Sequence, residues 1–245
     1  MGLKEMFFGG AEGRRKRHIA RARNKDAQSA DRFASLDALR DDASDEAIAG
    51  LLGRFTIRYD KSIEDEQEKD FVYECLVKMG ERVLPELQKH LRSADSIAWG
   101  LKILTNVTSI DKAWPILADL CERNDNTYTR DPSKKIQILH HLGDLDDKRC
   151  TEALVPYHPD IDAGVRYVAV EGLIKHKTPE IARDPLLQLL VSGKEPSRRI
   201  MTRVAEGFVD LGWDVKGHTG TIEKLVADLL PGGRVDGQGK IKRKA

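Results

Sequence analysis

His140-His141, Cys150 and His158 lie close together in the sequence, and imidazole and thiolate are the usual ligands of a bound transition metal. None of their spacings is a usual zinc arrangement. Adjacent histidines on a helix also point in different directions, so this grouping reads as structural. Asp144, Asp146 and Asp147 crowd one turn, as calcium ligands do, but the alternating ligands of a twelve-residue calcium loop are missing, and helix capping accounts for them better. The run Gly232-Gly233-Arg234-Val235-Asp236-Gly237-Gln238-Gly239-Lys240 superficially resembles a phosphate-cradling loop. Its spacing is one residue too long, Ile241 stands where a hydroxyl is needed and no strand precedes it, so it reads as a flexible tail. There is no Gly-x-Ser-x-Gly elbow, and Cys75, Cys121 and Cys150 have no context that marks a nucleophile. No catalytic residue, no metal ligand and no cofactor site is expected.

Charge is the remaining chemical resource. Residues 1–27 carry eight bases against three acids, and residues 232–245 carry five against one, leaving 28 bases against 36 acids in the body between. The expected organisation is a basic N-terminal arm (1–27), a helical body (28–231) and a basic flexible C-terminal tail (232–245). Arg14, Arg15, Lys16, Arg17, Arg21 and Arg23 are the candidate electrostatic docking residues, because clustered like charges repel unless solvent or an acidic partner screens them. The arm is expected to add little to the core, unless Leu3, Phe7, Phe8 and Ile19 cover the first repeat as a cap.

The elements that must carry these residues are helices. Apolar residues recur at three and four spacing from Arg32 to Leu230, and alternating β-branched runs are absent. Short breaks such as Met79-Gly80-Glu81, Leu142-Gly143-Asp144 and Lys177-Thr178-Pro179-Glu180 predict helix pairs near 30–55, 64–92, 94–123, 132–157, 161–192 and 197–230. A chain of 245 residues can bury its own core, and three cysteines without paired spacing favour a reducing compartment. No run approaches the roughly 20 apolar residues of a membrane span. The start, Met1 to Phe8, is too short for a signal peptide, and Met6 occupies the Ser/Thr position of a myristoylation signal; cytoplasm is the expected location.

The pairs repeat. Val165-Arg166-Tyr167-Val168-Ala169-Val170-Glu171-Gly172-Leu173-Ile174 aligns with Ile200-Met201-Thr202-Arg203-Val204-Ala205-Glu206-Gly207-Phe208-Val209 at an offset of 35, and together with the upstream offsets the period averages about 33, a helical-solenoid period. Asp131-Pro132-Ser133-Lys134-Lys135 and Asp162-Ala163-Gly164-Val165-Arg166 share an acid, three residues and a base. Glu195-Pro196-Ser197-Arg198-Arg199 repeats this with a two-residue slip. An acid there caps free amides at the helix start.

With the Val-Arg-x-x-Ala-x-x-Gly-Leu stretch, this pattern resembles the HEAT-repeat family, particularly the short bacterial HEAT-like repeats related to phycobilisome lyases, across most of residues 64–230. The resemblance implies an all-α, right-handed α-solenoid of about five to six antiparallel helix pairs. It also implies an inter-repeat ladder of acid and base, whose roles fall on Asp131, Lys135, Asp162 and Arg166; the stretch Ser96 to Gly100 lacks both partners. HEAT-like enzymes that bind iron through His-Glu pairs are excluded, since no His here precedes Glu. The HEAT-like alkylpurine DNA glycosylases are an alternative in which Trp99, Trp114 and Trp213 with Asp95 or Asp111 handle a base. They are disfavoured because their paired-Trp-then-Asp motif is missing and the body is acidic.

The expected function is a non-catalytic protein-binding scaffold or adaptor. Its partner is another protein rather than a small-molecule substrate. The alternatives are a nucleic-acid binder acting through the basic arms and a peripheral membrane adaptor in which Leu3, Met6, Phe7 and Phe8 insert.

Overall fold

The computed structural model describes residues 10–60 and 62–244; Leu3, Met6, Phe7 and Phe8 lie outside them. The described residues are almost entirely helical and divide into two units, Met1–Leu120 and Cys121–Ala245. The first unit contains α1 (Ala11–Ala22), α2 (Ser29–Asp42), α3 (Asp45–Gly53), α4 (Ser62–Met79), α5 (Leu84–Ser93) and α6 (Ala98–Val107), with the division falling in the last turn of α7 (Ile110–Arg123). The second contains α8 (Ser133–Asp144), α9 (Lys148–Leu154), α10 (Ala163–His176), α11 (Pro179–Val191), α12 (Arg198–Leu211), α13 (Thr219–Leu229) and two short strands.

Helix starts and stops follow from single residues. Ser44, Asp147, Asp162 and Ser197 each turn a side-chain oxygen onto a free amide at the start of α3, α9, α10 and α12. Lys177 ends α10 with φ 55°, and Pro179 then opens α11 where no amide is needed.

Within the first unit, α2 packs on α4 and α4 on α6, while α3 packs on α5. Within the second, α8 packs on α10 and α10 on α12, while α9 packs on α11 and α11 on α13. First helices of successive pairs thus neighbour one another, as do second helices. Their apolar faces meet in a core that includes Leu36, Ile48, Val72, Leu76 and Leu104 in one unit and Leu142, Val165, Leu173, Leu186 and Phe208 in the other.

The break expected at Leu142-Gly143-Asp144 lies inside α8, which runs on to Asp144. Gly143 serves a crossing instead of a turn, since a Cβ there would stand 3.2 Å from the Cα of Gly172 on α10. The missing side chain lets the two backbones touch.

Both termini depart from the expected solvated arms. α1 forms in the basic arm and packs on α2 and α3, with Ala22 fully buried. Ile19 lies over Gly50, where an added Cβ would come within 2.6 Å of its Cγ1. The Tyr59 hydroxyl donates to the Ala22 carbonyl at 2.8 Å. Residues 232–244 are no loose tail either. β1 (Arg234–Val235) and β2 (Ile241–Lys242) form an antiparallel hairpin with Val235 opposite Ile241. It is fixed by burial of Ile241, by Val215 N–H donating to Gly239 O at 2.7 Å and by Val235 N–H donating to Glu223 at 2.6 Å. Arg243 reaches Glu206 and Asp210 of α12, each at 3.5 Å. Glu171, one repeat before Glu206, pairs with Arg203 of α12 at 2.8 Å, so the hairpin meets α12 much as α12 meets α10.

Candidate functional site: a basic helix face and loops pinned by buried ions

Five of the six basic residues singled out above fall on α1 and Arg23 caps its C-terminal end, and the fold sorts them into two kinds. Arg15 turns inward and binds Asp42 at 2.9 Å and Glu46 at 3.1 Å. The bonds from Arg15 and Ser44 hold the Asp42 carboxyl below its ordinary pKa. Lys16 pairs along the helix with Glu12 at 2.6 Å. Arg14, Arg17, Arg21 and Arg23 are exposed and make no ion pair with any described residue. Arg14, Arg17 and Arg21 stand at i, i+3 and i+7, a single face about 10 Å long.

Beneath the end of α1 lies a buried charge cluster that sequence reasoning missed. Glu68 of α4 is fully buried and accepts from Arg32 Nε of α2 at 2.9 Å and from Arg54 Nε at 2.8 Å. Arg54 also donates to Asp65 at 2.6 Å, and Lys69 closes on Asp65 at 2.6 Å. Burial raises the Asp65 pKa, but Lys69, Arg54 and the Tyr59 amide outweigh it, leaving the carboxyl below its ordinary value. Two guanidiniums lie against the Tyr59 ring, Arg32 at 4.0 Å and Arg54 at 4.1 Å from its centre. The signal was available in the sequence, since Arg32 keeps phase with Leu36 and Leu39, and Glu68 with Val72, Cys75 and Leu76.

The ladder residues are placed as follows. Lys135 is buried and donates to Asp160 at 3.0 Å and to the Thr127 carbonyl at 2.6 Å. Arg166 grips Glu195 through Nε at 2.6 Å and Nη2 at 2.9 Å, and its Nη1 donates to the carbonyls of Asp160 and Ile161 at 2.8 and 3.0 Å. Burial raises the Glu195 pKa, while Arg166 and the Ser197 amide bring it below the ordinary value. The bases join neighbouring repeats, but their acids are Asp160 and Glu195. Asp162 caps α10 through the Val165 amide at 2.9 Å, and Asp131 accepts from the Ser133 amide at 2.9 Å. The two-residue slip at Glu195 disappears once the offset of 35 is applied, because Glu195 then matches Asp160 and Ser197 matches Asp162.

Replacing Arg166 by alanine strands the Glu195 carboxylate and should cost about 3 kcal/mol. Lys244→Ala, on the exposed tip, should cost nothing measurable. Urea unfolding of the two variants checks this, and equal midpoints would remove the ladder from the account of stability.

The remaining chemical candidates are absorbed by packing. Asp147 caps α9 and binds Arg149, and Asp144 pairs with Lys175 at 2.5 Å. Cys150 is fully buried, and burial pushes its thiol up to about 12. His158 Nδ1 lies 2.6 Å from the Val155 carbonyl. His141 Nε2 is buried without a hydrogen-bond partner. No group of three or more His, Cys, Asp or Glu side chains among the described residues could hold a metal ion. Trp99 stacks on Phe55 at 5.5 Å in the first unit, where Trp114 also lies, while Trp213 meets Phe208 edge-on at 5.6 Å in the second. No helix among the described residues is long and apolar enough to cross a membrane.

No protein-family model, no curated protein and no solved structure matches this chain.

Proposed function

We propose that this protein is a non-catalytic, cytoplasmic protein-binding scaffold, a HEAT-like right-handed α-solenoid that docks an acidic partner on the outer face of α1. Its repeating helix pairs and the layered packing within each unit support the solenoid reading. The observation that carries the binding site is the division of labour on α1. One face is locked down by Arg15, Ile19 and Ala22, and the opposite face presents Arg14, Arg17 and Arg21 unpaired among the described residues. Their charges are therefore free for a partner without cost to the fold. Residues 28–231 carry a net excess of acids, which disfavours an acidic partner over most of that surface and leaves α1 as a local concentration of unpaired positive charge. Three free thiols fit a reducing compartment, and the chemistry of docking calls for no small-molecule substrate and no cofactor.

The test compares a labelled poly-glutamate 20-mer with a 20-base-pair DNA duplex and with anionic vesicles. Binding of the peptide should weaken at least tenfold in the Arg14→Glu/Arg17→Glu/Arg21→Glu variant and weaken as salt shortens the Debye length from about 10 Å. The melting temperature should stay unchanged. If the duplex or the vesicle binds tighter than the peptide at equal salt, or charge reversal leaves affinity intact, this docking face is wrong.

A further inference from the structure

In the first unit, α1, α3 and α5 enclose a groove with opposite charges at its two ends. α3 packs against both of the others, and its contacts with α1 advance in step. Arg15 binds Glu46, Ile19 lies over Gly50, and Arg23 crosses Gly53, its Cδ 3.5 Å from where a Cβ would stand. The two helices therefore run in the same direction. Between α1 and α5 the surface of α3 carries only the short residues Ala49, Gly50 and Gly53. Two hollows of about 520 and 360 Å3 share Arg23, Ala49, Glu86 and Lys89, so they are lobes of one groove along α3. Ala49 on its floor is exposed. Packed helices lie about 10 Å apart, which sets α1 and α5 roughly 20 Å apart across α3 and leaves the width of one more helix, about 10 Å, above it.

The charges along the groove are matched in its middle and unmatched at its ends. Lys89 and Glu86 hold each other at 2.5 Å. At the far end of α3, Arg23 makes no ion pair with a described residue. At the near end Asp45 makes none either, and Glu46 beside it shares the single guanidinium of Arg15 with Asp42, so the surplus there is acidic. Asp45 stands eight residues before Gly53, about 12 Å along the helix. The groove thus presents one free cation and one acidic end, two turns apart, over a floor of small residues.

We infer that this groove takes one amphipathic helix of a partner protein, laid antiparallel to α3, with a carboxylate on Arg23, a base on Asp45 and apolar side chains against Ala49 and Ile19. The direction follows from charge at two scales. An acid near its N-terminus and a base near its C-terminus suit the incoming helix's own dipole, and the antiparallel course sets that dipole against the dipole of α3. The acid should stand seven residues before the base, because positions i and i+7 share a face and span about 10 Å. The groove belongs wholly to the first unit and uses none of Arg14, Arg17 and Arg21, so it stands or falls apart from the outer face of α1.

The probe is a pair of fluorescein-labelled, alanine-rich helical peptides of 18 residues with two leucines on one face. One carries a glutamate seven residues before a lysine, the other the same two residues exchanged, so net charge and composition are equal. Binding to the full chain, read by anisotropy, should be at least tenfold tighter for the glutamate-first peptide, and a proline at its centre should abolish it. Arg23→Glu/Asp45→Lys should invert the preference. Ala49→Gln, which fills the groove from an exposed position, should weaken the glutamate-first peptide at least tenfold with the melting temperature unchanged. Arg14→Glu/Arg17→Glu/Arg21→Glu should leave it bound. Equal binding of the two peptides, binding of neither, retention of the proline peptide or indifference to Ala49→Gln overturns the inference. So does self-association that Ala49→Gln abolishes, since the groove would then belong to a second copy of this chain.

Discussion

Glu68→Ala should be among the most damaging single substitutions in the first unit. Glu68 accepts from two arginines through its two oxygens, and neither guanidinium can turn to water, because Arg54 is fully buried and Arg32 nearly so. Removing one partner of a buried ion pair costs about 3–5 kcal/mol, and here one carboxylate bridges two cations, of which Arg54 keeps its bond to Asp65. A domain is stable by only about 5–15 kcal/mol in all, so the variant should lose a large part of its margin. Glu68→Gln keeps the shape and accepts one bond, and should fall between. The effect reaches the docking face, because Arg32 and Arg54 both pack on the Tyr59 ring and Tyr59 holds the last turn of α1 through Ala22. Urea unfolding followed by circular dichroism is the check. A midpoint unchanged in Glu68→Ala would mean that water or rearranged side chains satisfy both arginines.

Acid should begin to destabilise the second unit near pH 6.5, above the range in which carboxylates titrate. Burial depresses the His141 imidazole to about 4 from 6.5 against the opposing charge of Asp144, and its buried Nε2 has no hydrogen-bond partner. The folded state therefore binds fewer protons than the unfolded chain between those values. Stability stays level above pH 6.5 and falls as pH drops toward 4, by about 3 kcal/mol for a shift of this size. His141→Leu should remove this acid limb and cost little at pH 7, since the apolar side chain leaves no polar atom unsatisfied. Denaturation at pH 7 and pH 4.5 separates the cases. An equal drop in wild type and variant would place the acid sensitivity elsewhere.

Helix pairs were legible because a buried stripe repeats every three or four residues whatever the partner, and because residues such as Thr178-Pro179 and Asp162 leave marks at helix starts. α1 was not legible as a packed helix. Its inward face has little beyond Ile19 and Ala22, the rest being covered by the stem of Arg15, and charge hides an apolar pattern that sparse. The hairpin was missed for a related reason. Gly232, Gly233 and Gly239 suit a loose tail by composition, yet Gly233 sits where a Cβ would clash with the Val226 carbonyl at 2.1 Å, and Gly232 and Gly239 adopt positive φ to make turns. The ladder's bases fell where the resemblance implied, but Asp162 and Asp131 cap helix starts instead of bridging, because a capping carboxylate and a bridging carboxylate look alike in a string. Glu68, Arg32 and Arg54 carried the opposite signal, charge at core phase, which has meaning only once opposite partners from separate helices meet.

The placement of the tryptophans makes each unit optically distinct. Trp213, nearly enclosed and edge-on to Phe208, belongs to the second unit, whereas Trp99 and Trp114 belong to the first. A chain retaining only Trp213 reports on the Cys121–Ala245 half by its emission colour, and one retaining only Trp99 reports on the other half through its stack with Phe55. Intrinsic fluorescence can thus reveal whether the two halves melt as one cooperative body or in sequence, without any attached dye.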